Sequence, residues 1–518
     1  MLRLFYKDNR HVIRVGGHEF ESIAVRSGVR QGCPLSPLLF ALCADILLRE
    51  LSEHLQGDEI LCAFADDTAA VVANYVKSLP VLSSLCQEFE AISALALNIK
   101  KTVFIPLWGV RDMVHVRSLI REACPPWKDI LVRHAGKYLG FMIGPGAAST
   151  SWEKPLRKYI DTAVLWSSLH LGLHLNLLVY RVFIASLLGF VMQLEPDPPD
   201  IMGYFDIAMR RLAPGPGNWL SRADAFHLRS AYGFPLEFED PRWMSMACKM
   251  RVVRDVAPDC NDRRKELDEV LAECFRRPHG MWHYRSFYTI LSECRSELAF
   301  KGITVQSLNN VCEDRDHSFQ HHAAKSIAAA FSETYFPLSR VRAKLVRWNV
   351  PERGDIADRR ILRNFALLAK WCQPRILTVY LKTLWNGWST DRRLQSLRRS
   401  QNQPCRTCLL GCESAEDSVD HYACCSVFWK FACAPRPVGL GLQTELRSKS
   451  TFLLVRSGLR EEDSVRIALG MYALYRVVNI CRHHNSTNCR FNFNTLLRLW
   501  SKRGADHSKA KRLLNFSP

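Results

Sequence analysis

The chain lacks an apolar run long enough to cross a bilayer. Its longest greasy stretch, Leu177 to Leu194, is broken by Arg181. The uninterrupted part, Val182 to Met192, falls short of the roughly 20 residues that a spanning helix needs. A secretory leader is missing too, because MLRLFYKDNR turns polar by Lys7. These two gaps predict a nuclear or cytoplasmic protein, not a secreted one, with no membrane partner. No internal repeat is present. Acidic side chains are in deficit: 51 Asp and Glu stand against 70 Lys and Arg, leaving +19 at pH 7, and the excess is spread along the chain. Distributed charge of that size favours a polyanion partner bound by phosphate neutralisation and counterion release; a merely soluble basic protein is the alternative.

Other quantities are not short. Hydrophobic residues make up 48% and charged residues 23% of the 518, which is ordinary globular composition and enough for roughly two to four cored domains. The 19 cysteines do not describe a secreted disulfide scaffold, since the chain is too long for one. Cys43, Cys62, Cys86 and Cys433 sit in apolar sequence and read as reduced core thiols, with one metal cluster besides.

Residues Glu59 to Asn74 read EILCAFADDTAAVVAN. Two short β-prone runs meet at a polar break, which predicts a hairpin with Asp66 and Asp67 at its turn. Carboxylates beside buried strands are costly unless neutralised, and a hard divalent cation neutralises them well. A solvated turn is the competing reading. Upstream, Ser36-Pro37 predicts a helix start, with Ser capping free amides and Pro at the first turn losing no hydrogen bond. Leu38, Leu39, Leu42, Ile46, Leu47, Leu51 and Leu55 then recur at helical steps to about Gln56. Val81 to Leu95 carries a second stripe, Leu82, Leu85, Phe89, Ile92 and Leu95. His11 to Val15 ends at Gly16-Gly17 like a hairpin turn, with Leu2 to Tyr6 as a further β-prone run.

Four segments occur in order: Arg30-Gln31-Gly32-Cys33-Pro34-Leu35-Ser36-Pro37; Phe64-Ala65-Asp66-Asp67; Ala96-Leu97-Asn98-Ile99-Lys100-Lys101-Thr102; and Gly136-Lys137-Tyr138-Leu139-Gly140. Together they closely resemble the palm of reverse transcriptases from LINE-type (non-LTR) retrotransposons. The resemblance implies an α+β fold. Residues 1–150 would be a partial palm of a right-hand polymerase, an antiparallel sheet with helices, and 151–194 a helical thumb centred on Tyr180 to Gln193. A helix-rich connecting region would fill 195–400, a Cys/His zinc segment 401–430, and a helical basic region 431–518. It also implies that Asp66 is a catalytic, bridging ligand of Mg (or Mn) and Asp67 an auxiliary one. Gln31, Gly32, Pro34 and Ser36 would touch template and incoming nucleotide, and Lys101 the triphosphate or template, a solvated lysine being the alternative. RNA template, DNA primer and dNTP are the implied partners, and the implied reaction is attack of a primer 3′-hydroxyl on the α-phosphate.

One departure stands out. In the family the first catalytic Asp lies upstream, on a strand paired with the Asp-Asp hairpin, and no residue here matches it. Asp8 and Asp45 are the nearest spare acids; their contexts, a polar turn and a helix, make them solvated. The expectation is a reverse-transcriptase-derived protein inactive alone, or a non-catalytic RNA- or DNA-binding protein using thumb and zinc segment.

Cys405, Cys408, His421 and Cys425 give C-x2-C-x12-H-x3-C, a spacing suited to tetrahedral Zn, with two ligands on a knuckle and two on a following helix. Cys412 and Cys424 compete for ligand places. The flanks Thr390-Asp391-Arg392-Arg393, Glu416-Asp417 and Phe428-Trp429 resemble those of the family's Cys/His segment. His317, His321 and His322 have no partner cluster and read as structural or solvent-facing. Asp463 to Arg482 is an amphipathic helix and Trp500 to Arg512 is basic.

Overall fold

The computed structural model describes residues 10–24, 32–57, 59–108, 112–147, 150–255, 262, 265, 269, 287–312, 319–331, 335–396, 406–412, 415–483, 492–506 and 509–514. Leu2 to Tyr6, Asp8, Gln31, His317 and Cys405 lie outside them. The chain divides into two units, Met1–Ser151 with Glu266–Tyr284, and Trp152–Lys265 with Arg285–Pro518.

In the first unit, β1 (Arg10–Val15) and β2 (His18–Ala24) pair antiparallel around Gly16 and Gly17. Both glycines adopt positive φ, +59° and +84°, at no steric cost. Helix α1 (Ser36–His54) follows. The hairpin β3 (Ile60–Phe64) and β4 (Asp67–Val71) puts Phe64 opposite Asp67, and α2 (Tyr75–Ser93) begins at Asn74, whose side chain accepts from the Lys77 N–H. Beyond α3 (Met113–Ala123), β5 (Val103–Phe104) pairs parallel with β6 (Leu131–Val132), and β7 (Gly136–Tyr138) antiparallel with β8 (Phe141–Ile143). Leu51, Leu79, Leu82, Val116, Ile120, Trp127, Ile130 and Val132 form its core, with Leu47, Leu55 and Leu61 against them.

Several expectations need correcting here. Among the described residues the sheet is four separate two-stranded pieces instead of one antiparallel palm sheet. Ser36 does not cap α1. The cap position is Leu35, without a side-chain hydrogen bond, and Ser36 is the first helical residue. The reason is local: the Ser36 N–H donates to the Cys33 carbonyl at 3.0 Å and Leu39 N–H to Leu35 at 3.0 Å, so the preceding turn already winds the chain. Pro37 does sit in the first turn. Both helical stripes are only half covered. Leu38, Leu42 and Ile46, four residues apart on α1, are exposed, as are Ile92 at the end of α2 and Leu95 just beyond it. Cys43 and Cys62 are exposed and so are not core thiols, while Cys86 and Cys433 are half-buried against the edges of the cores.

The second unit is helical. α4 (Glu153–Ser167) and α5 (Leu173–Val179) lead into a wide π-type turn at Tyr180–Ile184 and short 3-10 turns at Ala185–Leu187 and Val191–Gln193. The greasy run is therefore a broken helix, not one continuous rod. It still buries one face, Leu177, Tyr180, Ile184, Leu188 and Met192, and leaves Val182, Phe183 and Phe190 about half exposed. The EPDPPD break ends at Asp200, which caps α6 (Ile201–Leu212) by accepting from the Gly203 N–H. α7 (Pro241–Asp255), α8 (Phe287–Phe300) and α9 (Phe319–Phe331) share a small cluster of Met250, Leu291, Leu298 and Ile327.

α10 (Ser339–Arg347), α11 (Gly354–Trp371), α12 (Pro374–Leu384), α13 (Ser426–Cys433), α14 (Glu461–His483) and α15 (Phe493–Asp506) surround the main core. That core runs from Trp152 to Leu514 and encloses Trp219, Trp385, Trp388 and Trp429. Residues from each part of the chain between Trp152 and Leu514 thus contribute to one apolar interior. Among the described residues no helix is long and apolar enough to cross a membrane.

Candidate functional sites

Phe64 and Asp67 close the β3–β4 hairpin, leaving Ala65 and Asp66 as its two-residue loop. Ala65 adopts φ +53°, the left-handed geometry that tight two-residue hairpins require. Both carboxylates are exposed at this strand junction, free to meet a ligand. The hairpin is anchored at its open end by Glu59, whose carboxylate accepts from Ala73 N–H at 2.7 Å, Gln56 N–H at 3.1 Å and Ser78 Oγ at 3.3 Å. Those backbone donors hold its pKa below the usual carboxylate value. Two other motifs abut the hairpin. Leu47 of α1 and Leu55 just after it share the core with Leu61 of β3, and the Tyr138 hydroxyl donates to the Cys62 carbonyl at 3.4 Å. Desolvation first, then the charges of Cys62 and Asp67, raise the Tyr138 phenol.

The remaining palm residues are placed as follows. Gly32 takes φ +84° with open space where a Cβ would be, Pro34 lies in the turn before α1, and Ser36 is buried at its start. Lys101 is exposed in a turn closed by its N–H donating to the Asn98 carbonyl at 2.9 Å. Leu139 and Gly140, at φ +46° and +94°, form the turn between β7 and β8. Asp45 pairs with Arg49 on the surface at 2.7 Å. Among the described residues no third acid, His or Cys joins Asp66 and Asp67 as a metal group.

The described group that can hold a metal is Cys408, Cys412, His421 and Cys425, whose ligand atoms all lie within 4.8 Å of one another. The knuckle is a turn in which Gly411, at φ +75°, donates to the Cys408 carbonyl at 3.0 Å. It is zipped by Cys408 N–H to Ala415 and Asp417 N–H to Arg406. His421 sits in the short helix Val419–Tyr422, and Cys425 at the N-terminus of α13. The sulfurs of Cys408 and Cys425 are 3.9 Å apart, close to the edge of about 3.8 Å that Zn–S bonds of roughly 2.3 Å give in a tetrahedron. Cys412 Sγ lies 3.1 Å from His421 Nε2. Within the buried pair the Cys408 S–H first, and then the Phe428 and Val427 amides, lower the Cys425 thiol, while Cys408 is raised. Three soft donors and an imidazole fit Zn.

Cys412, the competitor, stands at the fourth corner among the described residues, exposed Cys424 is not in the group, and Cys405 lies outside the residues described. The signal for Cys412 was the glycine before it, which lets the chain turn between Cys408 and Cys412. Sequence reasoning also missed the support behind the knuckle. Asp417, fully buried, accepts from Tyr422 Oη at 2.7 Å, Asp391 N–H at 2.9 Å and Arg482 Nη2 at 2.5 Å. Asp391 in turn accepts from Arg406 N–H at 2.8 Å. The flanking acids are thus internal fasteners that fix the knuckle to α14. Of the histidines, His321 meets Arg181 at 3.2 Å and His322 meets Ser326 at 3.5 Å.

Comparison with known proteins bears on the first unit. The reverse transcriptase (RNA-dependent DNA polymerase) family profile matches residues 1–143. A retrovirus-related Pol polyprotein from type-1 retrotransposable element R2 of Popillia japonica is 38% identical over 106 residues. That match covers 19% of this chain and 15% of the relative. Residues 1–143, which hold all four ordered motifs and the acidic hairpin, are reverse transcriptase sequence of the non-LTR retrotransposon type.

Proposed function

We propose that the chain is an RNA-directed DNA polymerase-derived protein carrying one half of a palm metal site, and that it does not polymerise by itself. The observation that carries this reading is the acidic hairpin: Asp66 and Asp67 are exposed at the β3–β4 junction, in contact distance of no third described acid. Two adjacent hard oxygen ligands suit Mg or Mn, but two-metal nucleotidyl transfer draws carboxylates from more than one strand. When bound, such a cation supplies charge neutralisation at the triphosphate and a more acidic primer hydroxyl. Asp66 and Asp67 hold it, Gly32 and Pro34 leave room for template and nucleotide beside α1, and Lys101 offers a cation to the triphosphate. The uncovered apolar stripe of Leu38, Leu42 and Ile46 is consistent with a surface that another segment covers.

Primer extension on a homopolymer RNA template with a DNA primer, dNTP and Mg or Mn tests this. The expected result is no Asp66-dependent synthesis, because loss of a principal charge-stabilising ligand costs several powers of ten in rate. Robust synthesis abolished by Asp66→Asn overturns the half-site reading.

A second reading, non-catalytic nucleic-acid binding, is favoured by the +19 charge and by the Cys/His knuckle. It predicts salt-sensitive RNA binding that survives Asp66→Asn and weakens on Cys425→Ser. A zinc ion held by Cys408, Cys412, His421 and Cys425 would be structural in this role, since four protein ligands leave no open position.

A further inference from the structure

We propose that the loop Ala213–Trp219, with Arg340, Lys344, Lys382 and Arg393 around it, is a phosphate-binding site in the second unit. The loop reads APGPGNW. It is rigid for stated reasons. A Cβ on Gly215 would lie 2.4 Å from the Trp219 ring, and Gly217 holds φ +56°. The Trp219 indole N–H donates to the Ala213 carbonyl at 2.8 Å. Gly215, Gly217 and Asn218 are exposed, and their backbone N–H groups donate to no acceptor among the described residues. Successive free amides on a glycine-containing turn make an anion-binding concavity.

The cations converge on that loop. Arg340 donates to the Asn218 carbonyl at 2.9 Å and to the Trp219 carbonyl at 3.4 Å. An Arg393 Nη2 lies 3.5 Å from where a Cβ on Gly217 would sit. Lys382 donates to the Pro214 carbonyl at 2.8 Å and lies 5.2 Å over the Trp219 ring. Lys344 donates to the Leu384 carbonyl at 3.4 Å. Burial first, then Arg340 and Arg393, push its ammonium down to about 7.

Among the described residues the carboxylate paired with this group is Asp224, 3.4 Å from Arg340. It is already occupied, accepting from Ser221 at 2.6 Å, Tyr335 at 2.7 Å and Trp385 at 2.9 Å. Four cations face one committed carboxylate. By contrast, in the cleft of about 1550 Å³ that Arg340 also lines, three arginines are paired with carboxylates: Arg222 with Asp206, Arg242 with Asp240, Arg181 with Glu239.

Like charges gathered in a partly buried place are unfavourable unless an anion completes the group. Guanidinium forks, an ammonium and free amides together are the donor set for a tetrahedral oxyanion. The ligand is a phosphate group, carried either on a nucleic-acid strand or on a free species such as pyrophosphate. The site does not depend on the palm reading, because Asp66 takes no part in it.

The test uses the full chain and two readouts. Thermal unfolding is followed with and without pyrophosphate, and binding of a short labelled single-stranded oligonucleotide is followed against salt. Arg393→Gln and Lys344→Met are compared with Arg157→Gln, a control on α4 whose side chain is 85% exposed. Lys344→Met removes a desolvated ammonium, so it folds at least as well as the parent and keeps the experiment readable.

If a strand is the source, both variants weaken the oligonucleotide about fivefold and make the slope of log affinity against log salt shallower by roughly 0.7. If a free species is the source, pyrophosphate raises the melting temperature of the parent and of Arg157→Gln but not of the two variants. Either result sustains the site. Parent-like behaviour of both variants in both readouts overturns it. The half-site reading is judged by primer extension alone, which separates failure here from failure of that reading.

Discussion

The first unit has the motifs and a thin core; the second has a thick core and, outside the knuckle, no motif. In the first, Phe64, Leu38, Leu42, Ile46 and Ile92 are all exposed, with Ile92 at 88%. In the second, α12 is buried almost all the way round and four tryptophans are enclosed. The difference teaches that residues which meet a substrate must stay accessible, and so contribute little to holding the chain together. Packing residues do the reverse and leave no signature beyond apolar periodicity.

The sharpest way to break this contrast is to attack the part of the second unit that is both motif and core. Cys408 and Cys425 are buried at 4% and 0%, and a structural zinc contributes its binding free energy to folding. Zinc removal by chelator, or Cys425→Ser, is expected to lower the stability of the second unit by several kcal/mol. Metal analysis should give one zinc per chain. A melting curve indifferent to chelation in a metal-free sample would reduce the knuckle to a patch of reduced thiols.

Next in size is Asp417→Asn. The substitution preserves shape while removing the charge that faces Arg482, whose side chain is 11% exposed. Stranding a buried guanidinium costs about 3 kcal/mol, read as a lower denaturant midpoint at unchanged slope. If the loss is below about 0.5 kcal/mol, the range of an ordinary surface change, Asp417 is not the fastener argued above.

These two cases mark how far the sequence could be read. The β3–β4 hairpin, the Gly16-Gly17 turn, α1 and α14 were legible because each is written in local chemistry: strand runs at a polar break, glycines at positive φ, apolar steps of three and four. That Cys408, His421 and Cys425 come together was legible as a spacing. What could not be read was long-range. Asp391, Asp417 and Arg482 meet across 91 positions of chain from first to last, and nothing near any of them announces the others. Sheet pairing was also illegible, since β5 and β6 are two residues each and pair only through the tertiary fold. The covered half of α1 could not be told from the bare half, because both repeat leucine at the same step.

That ambiguity on α1 gives a smaller, sharper comparison. Leu51 is 5% exposed and Leu42 is 58% exposed on the same helix. Leu51→Ala should cost about 2 kcal/mol, at the low end for a core this thin, and Leu42→Ala less than about 0.5. Equal losses would mean that something covers Leu42 in solution, and the exposed stripe would then be an occupied interface.

The smallest effect concerns pH. Lys344 has its folded pKa depressed from 10.5 to about 7, so the folded state releases a proton that the unfolded chain keeps until about 10.5. Between those values the unfolded state binds more protons, and stability rises with pH. Below about 7 both states are charged and the burden of the buried ammonium is at its full size; above 10.5 both are neutral and it is gone. Arg340 and Arg347 on its own helix and Arg393 opposite keep the ammonium disfavoured, while Asp224 opposes them. Lys344→Met should therefore be more stable than the parent at pH 6 and indistinguishable from it near pH 10.5, measured as the difference in melting temperature across a pH series. An advantage that is constant over the whole range would come from packing, and the four cations round the Pro-Gly loop would then lack the mutual repulsion that an anion is needed to relieve.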